Sequence, residues 1–140
     1  MDIDFAKSDG LVPAIVQDRT SGEVLMLGYM NRAALEATFA TGNTTFFSRS
    51  RNRLWTKGES SGHTLKAREV LLDCDADTIL VRVDSLGPGA CHEGYRSCFY
   101  RRLEAGGEAR EASARVFDPA AVYGPSSEPR GAADARGAAR

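Results

Sequence analysis

Two apolar runs, Val12 to Gln17 and Val24 to Tyr29, flank Arg19-Thr20-Ser21-Gly22, the pattern of two strands joined by a tight turn. The pattern changes at Asn31, which stands where a helix N-cap belongs. Arg32 to Ala40 follows with good helix formers, and Gly42 ends the segment in the usual C-terminal position. Leu35 and Phe39, four apart, are expected to share a face of that helix. Thr44 to Ser48 is β-branched and aromatic and reads as a strand, whereas 57–62, Lys-Gly-Glu-Ser-Ser-Gly, reads as loop. Val70 to Asp73 and Thr78 to Val83 are apolar runs around an acidic knot, and Gly87-Pro88-Gly89 breaks the chain again. Ser97 to Leu103 and Arg110 to Ser113 predict a last hairpin across Ala105-Gly106-Gly107. Short strands around one clear helix imply a strand-rich α+β single domain.

The apolar content fades after Glu104, where Ala, Gly, Pro and Ser dominate. Val116-Phe117 and Val122-Tyr123 are the last apolar pairs able to dock on the body. Beyond them no side chain larger than alanine is apolar, so ordering would gain too little burial to offset its entropy. The expected division is a folded domain over 1–123 and a disordered tail over 124–140. With 140 residues the chain has enough length for one ordinary core.

A composition 42% hydrophobic and 26% charged, with a net charge of −1, disfavours bulk-charge binding to nucleic acid or acidic lipid. No stretch approaches the ~18 apolar residues of a membrane span, and the acidic start Met1-Asp2-Ile3-Asp4-Phe5 is unlike a secretory signal. The expected compartment is therefore the reducing cytoplasm, and three cysteines are too few for a disulfide scaffold.

Cys74 sits within the acidic knot, and Cys91 and Cys98 frame Cys-His-Glu-Gly-Tyr-Arg-Ser-Cys. The spacing is not C-x-x-C, and it suits three unrelated buried thiols as well as ligands gathered by the fold or by two chains. Three thiolates on zinc would leave a fourth position for water, the arrangement of a catalytic rather than a structural site. Asp73, Asp75 and Asp77 form a D-x-D-x-D run whose carboxylates would share one face of an extended chain, opposite Cys74. Hard oxygens suit Mg²⁺, although aspartates equally mark a solvated turn. An EF-hand is excluded, because Thr78 stands where glycine is needed and Asp84 where a glutamate is needed. Arg49, Arg51 and Lys57, with Ser48, Ser50, Ser60, Ser61, Gly58 and Gly62, compose either a solvated surface or a phosphate cradle; Trp55 among them could stack on a base. His63 and His92, the two histidines, adjoin these features and are candidates for acid–base work.

Three motifs in order, Leu54-Trp55-Thr56-Lys57-Gly58-Glu59-Ser60-Ser61-Gly62-His63, Asp73-Cys74-Asp75-Ala76-Asp77-Thr78 and Gly87-Pro88-Gly89-Ala90-Cys91-His92-Glu93-Gly94-Tyr95-Arg96-Ser97-Cys98-Phe99, together with Met30-Asn31 and Phe47-Ser48-Arg49-Ser50-Arg51, resemble the phosphoribosyl-AMP cyclohydrolase family of histidine biosynthesis. The likeness covers residues 10 to 103. Phe47 stands where the family often has tryptophan or tyrosine, and Ser60 where threonine is usual. No fused pyrophosphohydrolase domain is expected in this chain.

The resemblance implies hydrolysis of 1-(5-phosphoribosyl)-AMP between N1 and C6 by a zinc- and magnesium-dependent homodimer. It implies zinc held by Cys91 and Cys98 of one subunit and Cys74 of the other, and Mg²⁺ held by Asp73, Asp75 and Asp77. His92, and then His63, are the candidate bases. Arg49, Arg51, Trp55, Lys57, Ser60, Ser61 and Gly62 are the candidate substrate contacts. A deaminase would differ by releasing ammonia. A metal- or nucleic-acid-binding module would show no turnover, and a thiol-redox role is disfavoured by the missing C-x-x-C.

Overall fold

The computed structural model describes residues 1–124. The tail expected over 124–140 therefore lies outside the described residues, apart from Gly124. A four-stranded sheet in the order β2-β1-β6-β5 is built from β1 (Val12–Asp18), β2 (Val24–Met30), β5 (Leu65–Leu72) and β6 (Ile79–Ser85). β1 runs parallel to β6 with Val16 opposite Val81, and the other two pairings are antiparallel. Strict alternation points Val12, Ala14 and Val16 and their counterparts Ile79, Val81 and Val83 into the core. This is the strand-rich α+β domain with one main helix that the sequence predicts.

Helix α1 (Arg32–Thr41) forms where its caps dictate. Asn31 Oδ1 accepts the Ala34 N–H at 2.8 Å, and Gly42, at φ 77°, donates its N–H to Thr38 O at 2.9 Å. The inner stripe is Ala34, Leu35 and Thr38. Leu35 is buried, whereas Phe39, four residues on, is 60% exposed. Residue 38 turns inward because its hydroxyl donates to Ala34 O and accepts the Thr45 N–H, tying the helix to the next strand.

That strand, β3 (Thr45–Ser48), pairs with β4 (Arg53–Thr56), which the polar sequence around Arg51 and Arg53 concealed. Phe46 faces Trp55 across the pair, and their rings stack at 4.9 Å. The hairpin lies on β2 through Gly28, where a Cβ would stand 2.5 Å from the Phe46 ring. Gly28→Ala is accordingly expected to destabilise the fold by about 1–3 kcal/mol through overpacking. A urea melt checks this, and an unchanged midpoint would contradict it.

The final hairpin, β7 (Arg101–Leu103) with β8 (Ala109–Glu111), turns over Ala105-Gly106-Gly107 as expected. Its first arm starts later than predicted, because Ser97 and Cys98 instead bond the backbone of Val24 and Leu25. A one-turn helix α2 (Pro119–Tyr123) follows, with its N-cap at Asp118.

Candidate functional site

Three loops leave this frame carrying the candidate chemistry. The first is the thiol loop, residues 91–98. Cys98 N–H donates to Leu25 O at 2.7 Å and Ser97 Oγ to Val24 O at 2.7 Å, which anchors the loop on the β2 edge. Within it, Cys91 N–H donates to Tyr95 O and Gly94 N–H to Cys91 O. These turns bring Cys91 and Cys98 together. The Cys98 side chain hydrogen-bonds the Cys91 thiol and, with the Glu93 N–H at 3.4 Å and the Lys57 charge, lowers it to about 7 against the opposing effect of burial. Beneath the loop, Tyr95 is buried and stacked on Tyr100. Its hydroxyl donates to Glu111, which pushes the phenol up to about 12.

His92 follows on the same loop, its Nε2 3.5 Å from Glu93 Oε2, with both side chains mostly shielded from solvent. Glu93 was not singled out by sequence reasoning. Its signal was adjacency: a carboxylate next to the histidine of a cysteine-framed segment can orient the imidazole.

The second loop, residues 57–63, joins β4 to β5. Lys57 N–H donates to Thr44 O, and Thr44 in turn donates to Leu65 O. The Lys57 side chain is buried, whereas Ser60 and Gly62 further along the loop are exposed. Burial pushes its ammonium below the ordinary lysine range, and Cys98 and Cys91 oppose that effect. Its charge therefore lies within electrostatic reach of the thiols. Gly62 N–H donates to Gly58 O, and Ser61 Oγ accepts the His63 N–H. His63 stands at the end of this loop, its Nδ1 buried and without a hydrogen-bond partner among the described residues. Arg49 lies over the Tyr29 ring at 4.3 Å. Arg51 N–H donates to Ser48 Oγ. Trp55 gives one face to Phe46, and its Nε1 is buried without a hydrogen-bond partner among the described residues.

The third loop is the acidic turn between β5 and β6. It takes the turn that the aspartates were equally expected to mark, and not the extended form. Ala76 takes φ 64°, and Asp73 Oδ1 accepts the N–H groups of Asp77 and Thr78, closing a tight turn. The fold still gathers one carboxylate oxygen each from Asp73, Asp75 and Asp77 within 4.8 Å of one another. Lys7, from the 3₁₀ turn Phe5–Ser8, reaches this cluster at 3.2 Å from Asp75 and 2.9 Å from Asp77, and its bond holds the Asp77 carboxyl below its ordinary range. No local pattern could have announced a partner 68 residues away.

Cys74 is exposed on the same turn, whereas Cys91 is buried. Among the described residues the aspartates are the one group of three or more His, Cys, Asp or Glu side chains close enough to share an ion. A single chain therefore does not join Cys74 to Cys91 and Cys98. Two adjacent thiols, one with a lowered pKa, and an exposed third suit a soft, thiolate-seeking ion such as zinc. The three convergent carboxylates suit a hard divalent cation.

The phosphoribosyl-AMP cyclohydrolase family model matches residues 26–100, the span that contains all three loops. This chain is also 60% identical over 124 residues to the phosphoribosyl-AMP cyclohydrolase of Solibacter usitatus (strain Ellin6076), covering 89% of this chain and 98% of that protein. The chain belongs to the phosphoribosyl-AMP cyclohydrolase family. The enzyme of that name from Nitratidesulfovibrio vulgaris (strain DP4) is 58% identical over 120 residues, 86% of this chain and 94% of that protein. The one from Desulfotalea psychrophila (strain LSv54 / DSM 12343) is 52% identical over 125 residues, 89% and 98%. This cyclohydrolase chain has, among its described residues, no helix long and apolar enough to cross a membrane.

Proposed function

We propose that the protein is a phosphoribosyl-AMP cyclohydrolase of histidine biosynthesis that acts in the cytoplasm as a zinc- and magnesium-dependent homodimer. The observation that carries this reading is 60% identity across 98% of a protein of that name. In the reaction the oxygen of water bonds to C6 of the adenine ring, the N1–C6 bond breaks, and N1 takes up a proton. C6 keeps its amino nitrogen and becomes a carboxamide carbon, so no ammonia leaves.

Cys91 and Cys98 of one subunit and Cys74 of the other would hold zinc, and Asp73, Asp75 and Asp77 would hold Mg²⁺. Zinc supplies Lewis acidity that brings water deprotonation into the neutral range. His92, held beside Glu93, takes the proton from the attacking water, with His63 as the second candidate. Arg49, Arg51, Ser60, Ser61 and Gly62 grip the phosphates, Trp55 borders the base, and Lys57 contributes charge from the buried side next to the thiols. Exposed apolar side chains support a second copy. Leu71 and Leu72 lie on edge strand β5, and Leu86, Phe99 and Leu103 are exposed as well.

Spectrophotometric turnover of phosphoribosyl-AMP, with metal analysis of the same sample, tests the reading. Ring opening without ammonia is expected; ammonia release or no turnover would overturn it. Asp75→Asn is expected to raise the Mg²⁺ needed for half-maximal activity roughly tenfold while zinc content stays intact. An unchanged Mg²⁺ response would remove the aspartates from that role.

A further inference from the structure

Residues 112–118 leave β8 and cross the thiol loop before entering α2. Ala112 N–H donates to Tyr100 O at 2.7 Å, and Arg115 Nε donates to Glu93 O at 2.8 Å. Gly94 O accepts from both Val116 N–H at 2.7 Å and Phe117 N–H at 3.3 Å. Gly94 permits this closeness, because it takes φ 99° and a Cβ there would lie 2.6 Å from Phe117 O. Asp118 then caps α2 by accepting the Ala120 N–H, and Pro119 is buried. The segment is thus fastened along its length to the loop that carries Cys91, His92 and Cys98. It lies beyond residues 26–100, which the family model matches.

Phe117 is the side chain this strap delivers inward. Its ring meets the His63 imidazole edge-to-face, with centroids 4.8 Å apart and planes at 86°. Gly87 forms a second wall, where a Cβ would stand 2.6 Å from the imidazole. His63 Nδ1 meanwhile is buried and makes no hydrogen bond among the described residues. The imidazole is held by shape, and one ring nitrogen is left available. A buried polar atom without a partner is costly unless a ligand completes it.

We infer that Phe117 is a positioning residue: the strap it belongs to holds the His63 imidazole in one orientation against Gly87, with Nδ1 kept for a hydrogen bond to the bound nucleotide. One segment thereby sets both histidine-bearing loops, since the backbone that places Phe117 is anchored on Glu93 and Gly94. The inference rests on the proposed role of His63 in the reaction.

Its test is a double-mutant cycle on the metal-loaded enzyme with phosphoribosyl-AMP, using Phe117→Ala, His63→Gln and the pair, with Phe117→Tyr as the conservative variant. Phe117→Ala is expected to lower kcat roughly tenfold with KM changed by less than about threefold, because a misplaced group loses rate more than binding. Phe117→Tyr should restore the rate. In the His63→Gln background, Phe117→Ala should add no further loss. If His63→Gln is slow and the two losses multiply, the inference fails and the role of His63 stands. If His63→Gln is as fast as wild type, His63 leaves the mechanism and the inference falls with it.

Discussion

Cys91→Ser is expected to abolish turnover, lowering kcat/KM by at least about 10³-fold, and to release zinc while the fold persists. Cys98→Ser and Cys74→Ser should do the same. Serine keeps the size of cysteine, and Cys74 is exposed, whereas Cys98 packs against the core and Cys91 is buried, so a thermal melt accompanies the zinc analysis of those two variants. Loss of zinc with an unchanged melting midpoint reports ligation rather than unfolding. The Cys91 thiol is lowered to about 7, chiefly by its hydrogen bond with Cys98, which favours the thiolate that a soft metal ion needs. The separation of Cys74 from the other two gives a sharper form of the test. In a two-fold dimer with shared sites, mixing Cys74→Ser with Cys91→Ser pairs an intact Cys91–Cys98 from one chain with an intact Cys74 from the other. Two inactive proteins, unfolded and refolded together, should recover about a quarter of wild-type activity, since half the dimers are mixed and each holds one complete site. Full zinc retention by any single variant removes that residue from the ligand set. Failure of complementation means that the three thiols do not meet across subunits.

The elements legible in the sequence were those whose instructions are local. β1 and β2 were marked by their apolar runs and the turn between them, and α1 by Asn31 and Gly42 acting through hydrogen bonds within four residues of each cap. β4 was hidden because Arg53–Thr56 gains its strand character from pairing with β3, not from its own composition. β5 was read short, as Val70 to Asp73, because its register shifts between Ala67 and Glu69 and Arg68 turns aside to bond Asp84. A strand interrupted by a bulge does not display a clean two-residue period. The parallel pairing of β1 with β6 joins residues more than sixty apart, and nothing in either strand names the other.

The site was legible as chemistry and largely illegible as geometry. Cysteines, aspartates and histidines stood out by type, and the order of their motifs carried the family. Their surroundings did not show. Lys57 read as part of either a solvated surface or a phosphate cradle, yet its side chain is buried and within electrostatic reach of Cys91 and Cys98. Phe117 read as a docking apolar residue, which it is, but its target His63 lies 54 residues earlier. Lys7, at the acidic turn, was invisible for the same reason. Long-range charge and ring contacts are set by topology, which composition does not encode.

The second large effect is expected at His92. His92→Asn should lower kcat by roughly 10²–10⁴, the usual contribution of a positioned acid–base group, with KM and zinc content close to wild type. The setting explains the magnitude. Glu93 lies next to His92 in the chain, and its Oε2 is 3.5 Å from His92 Nε2, with both side chains mostly shielded from solvent. The Glu93 N–H meanwhile donates to Cys91 Sγ. One residue thus connects the candidate base to a candidate ligand. Glu93→Gln, which keeps the shape and removes the charge, should therefore cost less than His92→Asn, about tenfold in kcat. Loss of zinc together with activity in His92→Asn would make His92 a ligand instead of a base. An unchanged kcat would pass the proton-accepting role to His63, whose loop approaches from the β4 side.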